Sequence, residues 1–279
     1  MKKKTWKIIV RHLVLALLAI IWLIPIVWLV VTSLSTTKGV SYQHFFPEHW
    51  TLANYHQLFF KTDTAANFPA WFKNTFIVAF FTCIVSSAFV LMVSYAFSCM
   101  RFKARKPLMS FSIILGMFPG VLSMIAVYFV LKMIGLTDSL AGLVIVYSAG
   151  SGLGFLVLKG FFDTIPYSLD ESAMIDGATR LQIFTKITLP LSKPIIVYTA
   201  LMAFMGPWVD FIFASVILGD VKDKYTVALG LYQMLNQDAI NEWFLPFTAG
   251  AIIIAIPITL LFIFMQKYYV EGVTGGSVK

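Results

Sequence analysis

Charge is what this sequence has least of. Only 12% of its 279 residues are Asp, Glu, Lys or Arg, while 59% are hydrophobic and 26 are Phe. Soluble domains carry about 25% charged residues, and a soluble chain of this length needs that charge as a skin around its core. The skin is missing, so lipid is the solvent for much of this surface, as a mean hydropathy of +0.85 agrees. Cysteine is nearly absent too: Cys83 and Cys99 are the only two, both inside one apolar stretch. That excludes a disulfide framework or a cysteine-built zinc site and leaves both as small packing residues. No G-x-x-x-x-G-K-[ST] run exists, so the chain has no loop of its own to cradle ATP phosphates. Gly150, Gly152 and Gly154 alternate in an apolar stretch with no Lys-Ser/Thr after them; small residues there allow close helix packing. No Ser/His/Asp or Cys/His set suggests catalysis. His44, His49 and His56 share one loop with no carboxylate pattern to support a metal site, and read as solvated side chains rather than metal ligands.

What is present is six apolar runs, at about 12–35, 72–100, 107–133, 139–160, 194–218 and 243–267. Each holds roughly the 20 residues needed to cross about 30 Å of hydrocarbon. The first follows Met1-Lys2-Lys3-Lys4 and resembles a signal peptide, but it is too long and no small-residue cleavage site ends it. It is expected to stay as an uncleaved span. The expected fold is therefore an all-α membrane protein with six transmembrane helices, a single domain over 1–279.

The net charge of +8 does not point to nucleic acid, because Lys and Arg sit between apolar blocks rather than on one amphipathic face. Their positions orient the chain instead. With the N-terminus inside, Lys2, Lys3, Lys4, Lys7, Arg11, Arg101, Lys103, Arg105 and Lys106 are cytoplasmic. Lys159, Arg180, Lys186, Lys193, Lys267 and Lys279 join them, leaving Lys38, Lys61, Lys73, Lys132, Lys222 and Lys224 outside. Both termini are then cytoplasmic. Outside lie two loops, 36–71 and 219–242. In the first, Leu52, Tyr55, Leu58 and Phe59 fall at helical spacing and predict a short interfacial helix; the second is polar enough to meet a soluble partner.

The cytoplasmic loop 161–193 is too polar to cross and too patterned to be a plain connector. Ser168 and Glu171 have capping-box spacing, as do Thr179 and Gln182, and Gly177 lies between them. Pro190 and Pro194 are expected to break the second helix at the membrane. The prediction is helix, glycine turn, helix, with Met174, Ile175, Phe184 and Ile187 as a docking face.

At these residues a resemblance becomes specific. Glu171-Ser172-Ala173, then Gly177, then nine residues to Ile187 and on to Leu189-Pro190, resembles the EAA motif of ABC importer permeases. The one departure is Ser172 in place of the middle Ala. Asp176-Gly177-Ala178 and Pro194 extend the likeness to the carbohydrate branch. Trp50–Phe59 resembles the T-L-x-N-Y-x-x-L-F stretch of sugar permeases, and Val270–Lys279 is similar to the glycine-rich tail of MalG-type maltose/maltodextrin permeases. The resemblance implies the permease subunit of a binding-protein-dependent oligosaccharide importer in a bacterial cytoplasmic (inner) membrane. The loop would be the coupling helix, held by the ATP-binding subunit, with Glu171 against a basic residue there. Gly275 and Gly276 of the tail (268–279) would reach between two ATPase subunits. ATP and Mg would belong to those subunits, and this chain would hold no cofactor or metal. A second permease subunit and an extracytoplasmic sugar-binding protein complete the implied assembly.

For the path itself, Asp210 is the clearest intramembrane charge, just after Gly206-Pro207-Trp208; such charges usually face a cavity. Gly116 and Pro119-Gly120 break the third run at comparable depth. Trp208, Asp210, Pro119 and Pro207 are thus expected to flank the sugar path. Asp210 pairing with a polar group of a partner subunit, or lying near the outer interface, is an equal alternative. A stand-alone secondary transporter or channel is the rival function, and would need ionisable side chains for coupling ions.

Overall fold

A computed structural model describes residues 2–37, 45–61, 66–150, 154–236 and 239–274. Among them every regular element is helical, with a single isolated β-bridge between Ser35 and Trp50. The helices are α1 (Lys2–Ser33), α2 (Ala53–Phe60), α3 (Phe68–Cys99), α4 (Arg105–Gly116), α5 (Gly120–Met133), α6 (Leu140–Gly150) and α7 (Phe155–Phe162). There follow α8 (Tyr167–Ile175), α9 (Arg180–Ile183), a π-helical turn Phe184–Thr188, α10 (Leu189–Leu191), α11 (Lys193–Val209), α12 (Ile212–Leu218), α13 (Val227–Gln233) and α14 (Ile240–Thr274). The chain forms two compact units, Met1–Phe68 with Leu231–Ile256, and Pro69–Gly230 with Pro257–Lys279.

The six expected crossings do not appear as six unbroken helices. Among the described residues three helices are long and apolar enough on their own: Trp6–Ser33, Phe68–Cys99 and Ile240–Tyr268. Two more runs pass as pairs, α6 with α7 at 44° and Arg180–Leu191 with α11 at 84°. The run at 107–133 is divided into α4 and α5, because Pro119 cannot continue the first helix and caps the second in an extended conformation. The run at 194–218 likewise divides at Asp210 into α11 and α12.

In the first unit, α1 exposes almost its whole length, as expected of a helix solvated by lipid. Its C-terminal carbonyls would be orphaned at depth. Asn54 resolves this by donating from Nδ2 to the carbonyls of Ser33 (2.9 Å) and Ser35 (2.8 Å). Tyr55 shares a 2.7 Å hydrogen bond with Ser33 Oγ, and the Thr51 amide donates to Leu34. Thr51 Oγ1 then accepts the Ala53 amide that opens α2. The Thr-Leu-Ala-Asn-Tyr stretch is therefore a clasp on the end of α1, and the short helix predicted from its spacing is present.

The second unit packs around Val90, Tyr95, Phe97, Phe155, Leu158, Phe162 and Ile195. Ser94 Oγ donates to the Phe155 carbonyl (3.0 Å), and Ser98 Oγ donates to Asp163 (2.6 Å), which also pairs with Lys159. These bonds fix α7 to α3 just before the patterned loop. The polar segment after α12 is also folded down: Asn74 donates to the carbonyls of Asp223 and Tyr225, and Thr75 Oγ1 accepts the Val227 amide at 2.7 Å. Gly230 lies so close to Trp71 that a Cβ would fall 2.1 Å from the indole.

Candidate functional site

The patterned loop folds as helix, turn, helix, with one change at its start. Pro166, not Ser168, is the N-cap of α8, and no side-chain cap bond forms there. Pro166 has ψ 124°, ready for a helix to begin at the next residue, so Ser168 lies already inside the first turn. The Ser168–Glu171 box is thus not made. Glu171 is exposed, with Ser172 beside it, and Ala173 is half-buried.

The turn is determined by hydrogen bonding. Gly177 has φ +80°, the left-handed region that an L side chain enters only at a cost. Its amide donates to Met174 at 3.1 Å, and the Ala178 amide donates to Ala173 at 2.9 Å. Those two bonds are a Schellman motif: the carbonyl of the motif's Ala173 receives the amide just beyond the motif's Gly177. The spacing from Glu171 to Gly177 is therefore the spacing of one capped helix end. On the far side the Thr179 box is complete. Gln182 donates its amide to Thr179 Oγ1, while its side-chain oxygen accepts the Thr179 amide at 2.7 Å.

Pro190 was expected to break the second helix. Instead the backbone widens ahead of it: the Leu189 amide donates to Phe184, five residues back, through the π-helical turn. A proline ring clashes with the carbonyl four residues before it in an α-helix, and a π turn moves that carbonyl aside. The break falls later, at Ser192, and Pro194 opens α11, which departs at 84°.

Exposure divides the apolar residues. Ile175 is 87% exposed and Leu181 70%, while Met174 and Ile187 are half-buried. Phe184, expected on the docking face, turns inward against Tyr95 with ring centroids 4.7 Å apart and packs on the core cluster. Leu189 is half-buried and Pro190 exposed. A shallow depression between the helices is lined by Asp176, Gly177, Ala178, Gln182, Lys186 and Ile187, with Ile183 beneath. Asp170, 4% exposed in the first turn of α8, has its carboxyl pushed above the usual range by burial, an effect that nearby Arg180 opposes. The loop thus presents Glu171, Ile175 and Leu181 outward and is anchored inward through Phe184, Ile183 and Asp170.

The four residues expected to flank a path have separate surroundings. Asp210 is half-buried at the break between α11 and α12. Tyr147 in α6 donates to its Oδ2 at 2.6 Å, and the amides of Ala214 (3.2 Å) and Phe213 (3.5 Å) donate to the carboxylate as well. The sequence reading missed Tyr147, whose only signal is a phenol in an otherwise apolar run. Trp208 is 2% exposed, against Phe72 and Phe204, and its indole N–H meets no acceptor among the described residues. Pro207 is buried beside it, whereas Pro119 is exposed and shares no hydrogen bond with Trp208 or Asp210. Gly275 and Gly276 lie outside the described residues. Among the described residues no group of three His, Cys, Asp or Glu is placed to hold a metal.

With that geometry in view, comparison with known proteins is specific. Residues 91–275 match the family described as binding-protein-dependent transport system inner membrane component. The chain is 34% identical over 274 residues to the galactooligosaccharides transport system permease protein GanQ of Bacillus subtilis, covering 98% of this chain and 96% of that one. It is 39% identical over 217 residues to the maltodextrin transport system permease protein MalD of Streptococcus pneumoniae, covering 77% of each. It is 33% identical over 297 residues to the maltose/maltodextrin transport system permease protein MalG of Escherichia coli K12, covering 100% of this chain and 98% of that one. In fold it is similar to a chain from the crystal structure of a bacterial ABC transporter involved in the import of the acidic polysaccharide alginate. There the TM-score is 0.77 at 24% identity, over 94% of this chain and 95% of that chain. A multi-pass helical chain whose matched region contains the whole capped loop therefore belongs to the family of inner membrane components of binding-protein-dependent transport systems.

Proposed function

We propose that this chain is one of two permease subunits of an ABC importer for oligosaccharides, with maltose/maltodextrin as the substrate class, and that 168–190 couples it to a separate ATP-binding subunit dimer. The observation that carries the reading is the coupling segment itself. The Schellman turn at Gly177 and the Thr179 box make α8 and α9 a preformed body with Ile175 and Leu181 bare. Exposed large apolar side chains on a polar loop mark an interaction surface, and Glu171 stands among them to pair with a cation of the ATPase. Phe184 transmits displacement inward to the cluster at Phe155, Leu158 and Ile195, so closure of the ATPase dimer moves α7 and α11 together. ATP and Mg are bound by those partners. Substrate class follows from the names of relatives that carry maltodextrin or galactooligosaccharides. An extracytoplasmic sugar-binding protein delivers the sugar. In this reading both termini are cytoplasmic, and the tail around Gly275 and Gly276 reaches the ATPase.

For the path, the breaks at Pro119 and at Pro207–Asp210 flank the sugar, with Asp210 holding the hinge and Trp208 supplying a free N–H donor. The rival reading, a stand-alone ion-coupled carrier, fits poorly. Asp210 already accepts from Tyr147 and two backbone amides, leaving little of its carboxylate open to a coupling ion.

Co-purification tests the proposal. An ATP-binding subunit and a second permease are expected to accompany the wild-type chain, and Glu171→Ala with Leu181→Ala to lose the ATPase while keeping the permease partner. Purification of the chain as an active single-chain carrier refutes it.

A further inference from the structure

Between Asp63 and Asp138 the sequence contains no acidic residue at all, yet Arg101 and Lys103 in the short link after α3 and Arg105 and Lys106 at the start of α4 crowd together. Repulsion among four like charges within six residues is unfavourable unless something negative answers it. Among the described residues nothing does: the ion pairs there are Lys61–Glu242 and Lys159–Asp163. The acids nearest the end of α3 are committed, Asp163 to Lys159 and Ser98, and Asp170 buried close to Arg180.

The cations are also placed for a surface ligand. Arg101, Lys103 and Lys106 are exposed, with Arg105 half-buried. Arg101 is held with its guanidinium over the Tyr167 ring, 5.6 Å from the centroid. Apolar side chains alternate with the charges and stay exposed, including Met100, Phe102, Leu108 and Phe111. A soluble acidic protein would meet the charges and leave these apolar groups wet. A phospholipid matches both, with a phosphate for the cations and acyl chains for Met100, Phe102 and Phe111. The link also directly follows the 32-residue α3, which at about 1.5 Å per residue outruns a 30 Å hydrocarbon core and so ends at headgroup level, where Lys and Arg extend toward the interface.

We propose that Arg101, Lys103, Arg105 and Lys106 form a binding site for the headgroup of an anionic phospholipid, adjoining Tyr167 at the start of α8. The proposal needs only that α3 crosses the bilayer, not that the loop after it couples to an ATPase.

The test is native mass spectrometry of the purified full chain titrated with phosphatidylglycerol or with phosphatidylcholine of the same acyl chains. Wild type is expected to retain phosphatidylglycerol preferentially, with each cation contributing about five-fold in affinity, and raised salt to erode the preference. R101Q/K103Q/R105Q/K106Q is expected to bind the two lipids equally. K103Q/K106Q, with an intermediate preference, keeps the test alive if the quadruple variant does not fold. Equal binding by wild type, or an undiminished preference in both variants, overturns the site. So does displacement of the lipid by millimolar inorganic phosphate, which would make it a free-phosphate site. Loss of a co-purifying ATP-binding subunit with the lipid preference unchanged would assign the cluster to a protein instead.

Discussion

Replacing Gly177 by Ala isolates the one position in the coupling segment where backbone conformation alone decides. No atom lies within 4 Å of where a Cβ would sit, so the substitution meets no steric obstacle beyond its own φ of +80°. An L residue in the left-handed region costs roughly 1–2 kcal/mol, and the smaller entropy of the unfolded loop returns part of that. The net loss is about 1 kcal/mol, which is about a five-fold rise in local opening. The bonds that open are the amide of residue 177 to Met174 and Ala178 to Ala173. Hydrogen-exchange mass spectrometry on a peptide spanning 167–183 reads that opening directly. Protection is expected to fall in the order Gly, Asn, Ala, Val, because Asn tolerates the left-handed region and a β-branched residue does not. Gly160→Ala is the control: it lies in α7 with open space and ordinary φ, so it should be neutral or stabilising by up to about 1 kcal/mol. Equal protection in Gly177→Ala and wild type, or an Asn variant as open as Val, would refute the account of the turn.

Two further outcomes follow from the same geometry. Asp210→Ala and Tyr147→Phe should be strongly non-additive in thermal unfolding, with a coupling of about 0.5–3 kcal/mol, since each removes the partner in one 2.6 Å bond. Simple additivity would mean that Asp210 acts only through the amides of Phe213 and Ala214. Burial raises the folded-state pKa of Asp170 above 3.8, so the native chain binds this proton more tightly than the unfolded one. Its contribution therefore improves as pH falls through the raised pKa, levels off below the ordinary 3.8, and is lost as pH rises. Asp170→Asn should accordingly stabilise the segment most at neutral pH, with the gain shrinking toward pH 4 in a thermal-unfolding series. An Asn variant that is less stable at every pH would show attraction to Arg180 outweighing burial.

Much of the coupling segment was legible because its signals are local. A capping box needs residues three apart and a Schellman end needs glycine at one position, so Thr179, Gln182 and Gly177 announced themselves without tertiary information. Ser168 misled for a local reason too: the spacing was right, but Pro166, two residues earlier, claims the N-cap. Phe184 was misplaced because period alone cannot say which apolar face finds a partner. Only its contact with Tyr95, some ninety positions earlier in the chain, turns it inward. Asn54 belonged to a recognisable stretch, yet its task of satisfying two carbonyls at and just past the end of α1 depends on a fold-back that no spacing reveals.

By itself the sequence determined that lipid surrounds this chain, that its regular structure is helical, and where the folded loop turns, at Gly177 and Thr179. Each of these depends on transfer free energy per residue or on bonds within six positions. The tertiary structure decided how continuous the apolar runs are, since hydropathy cannot distinguish an unbroken helix from two that part at Pro119 or Asp210. It also decided what becomes of the intramembrane polar groups. Asp210, expected either to flank a path or to pair with a partner subunit, meets Tyr147 and the start of α12 within its own chain, because a half-buried carboxylate must be satisfied by whatever donors the packing of α6, α11 and α12 brings within reach.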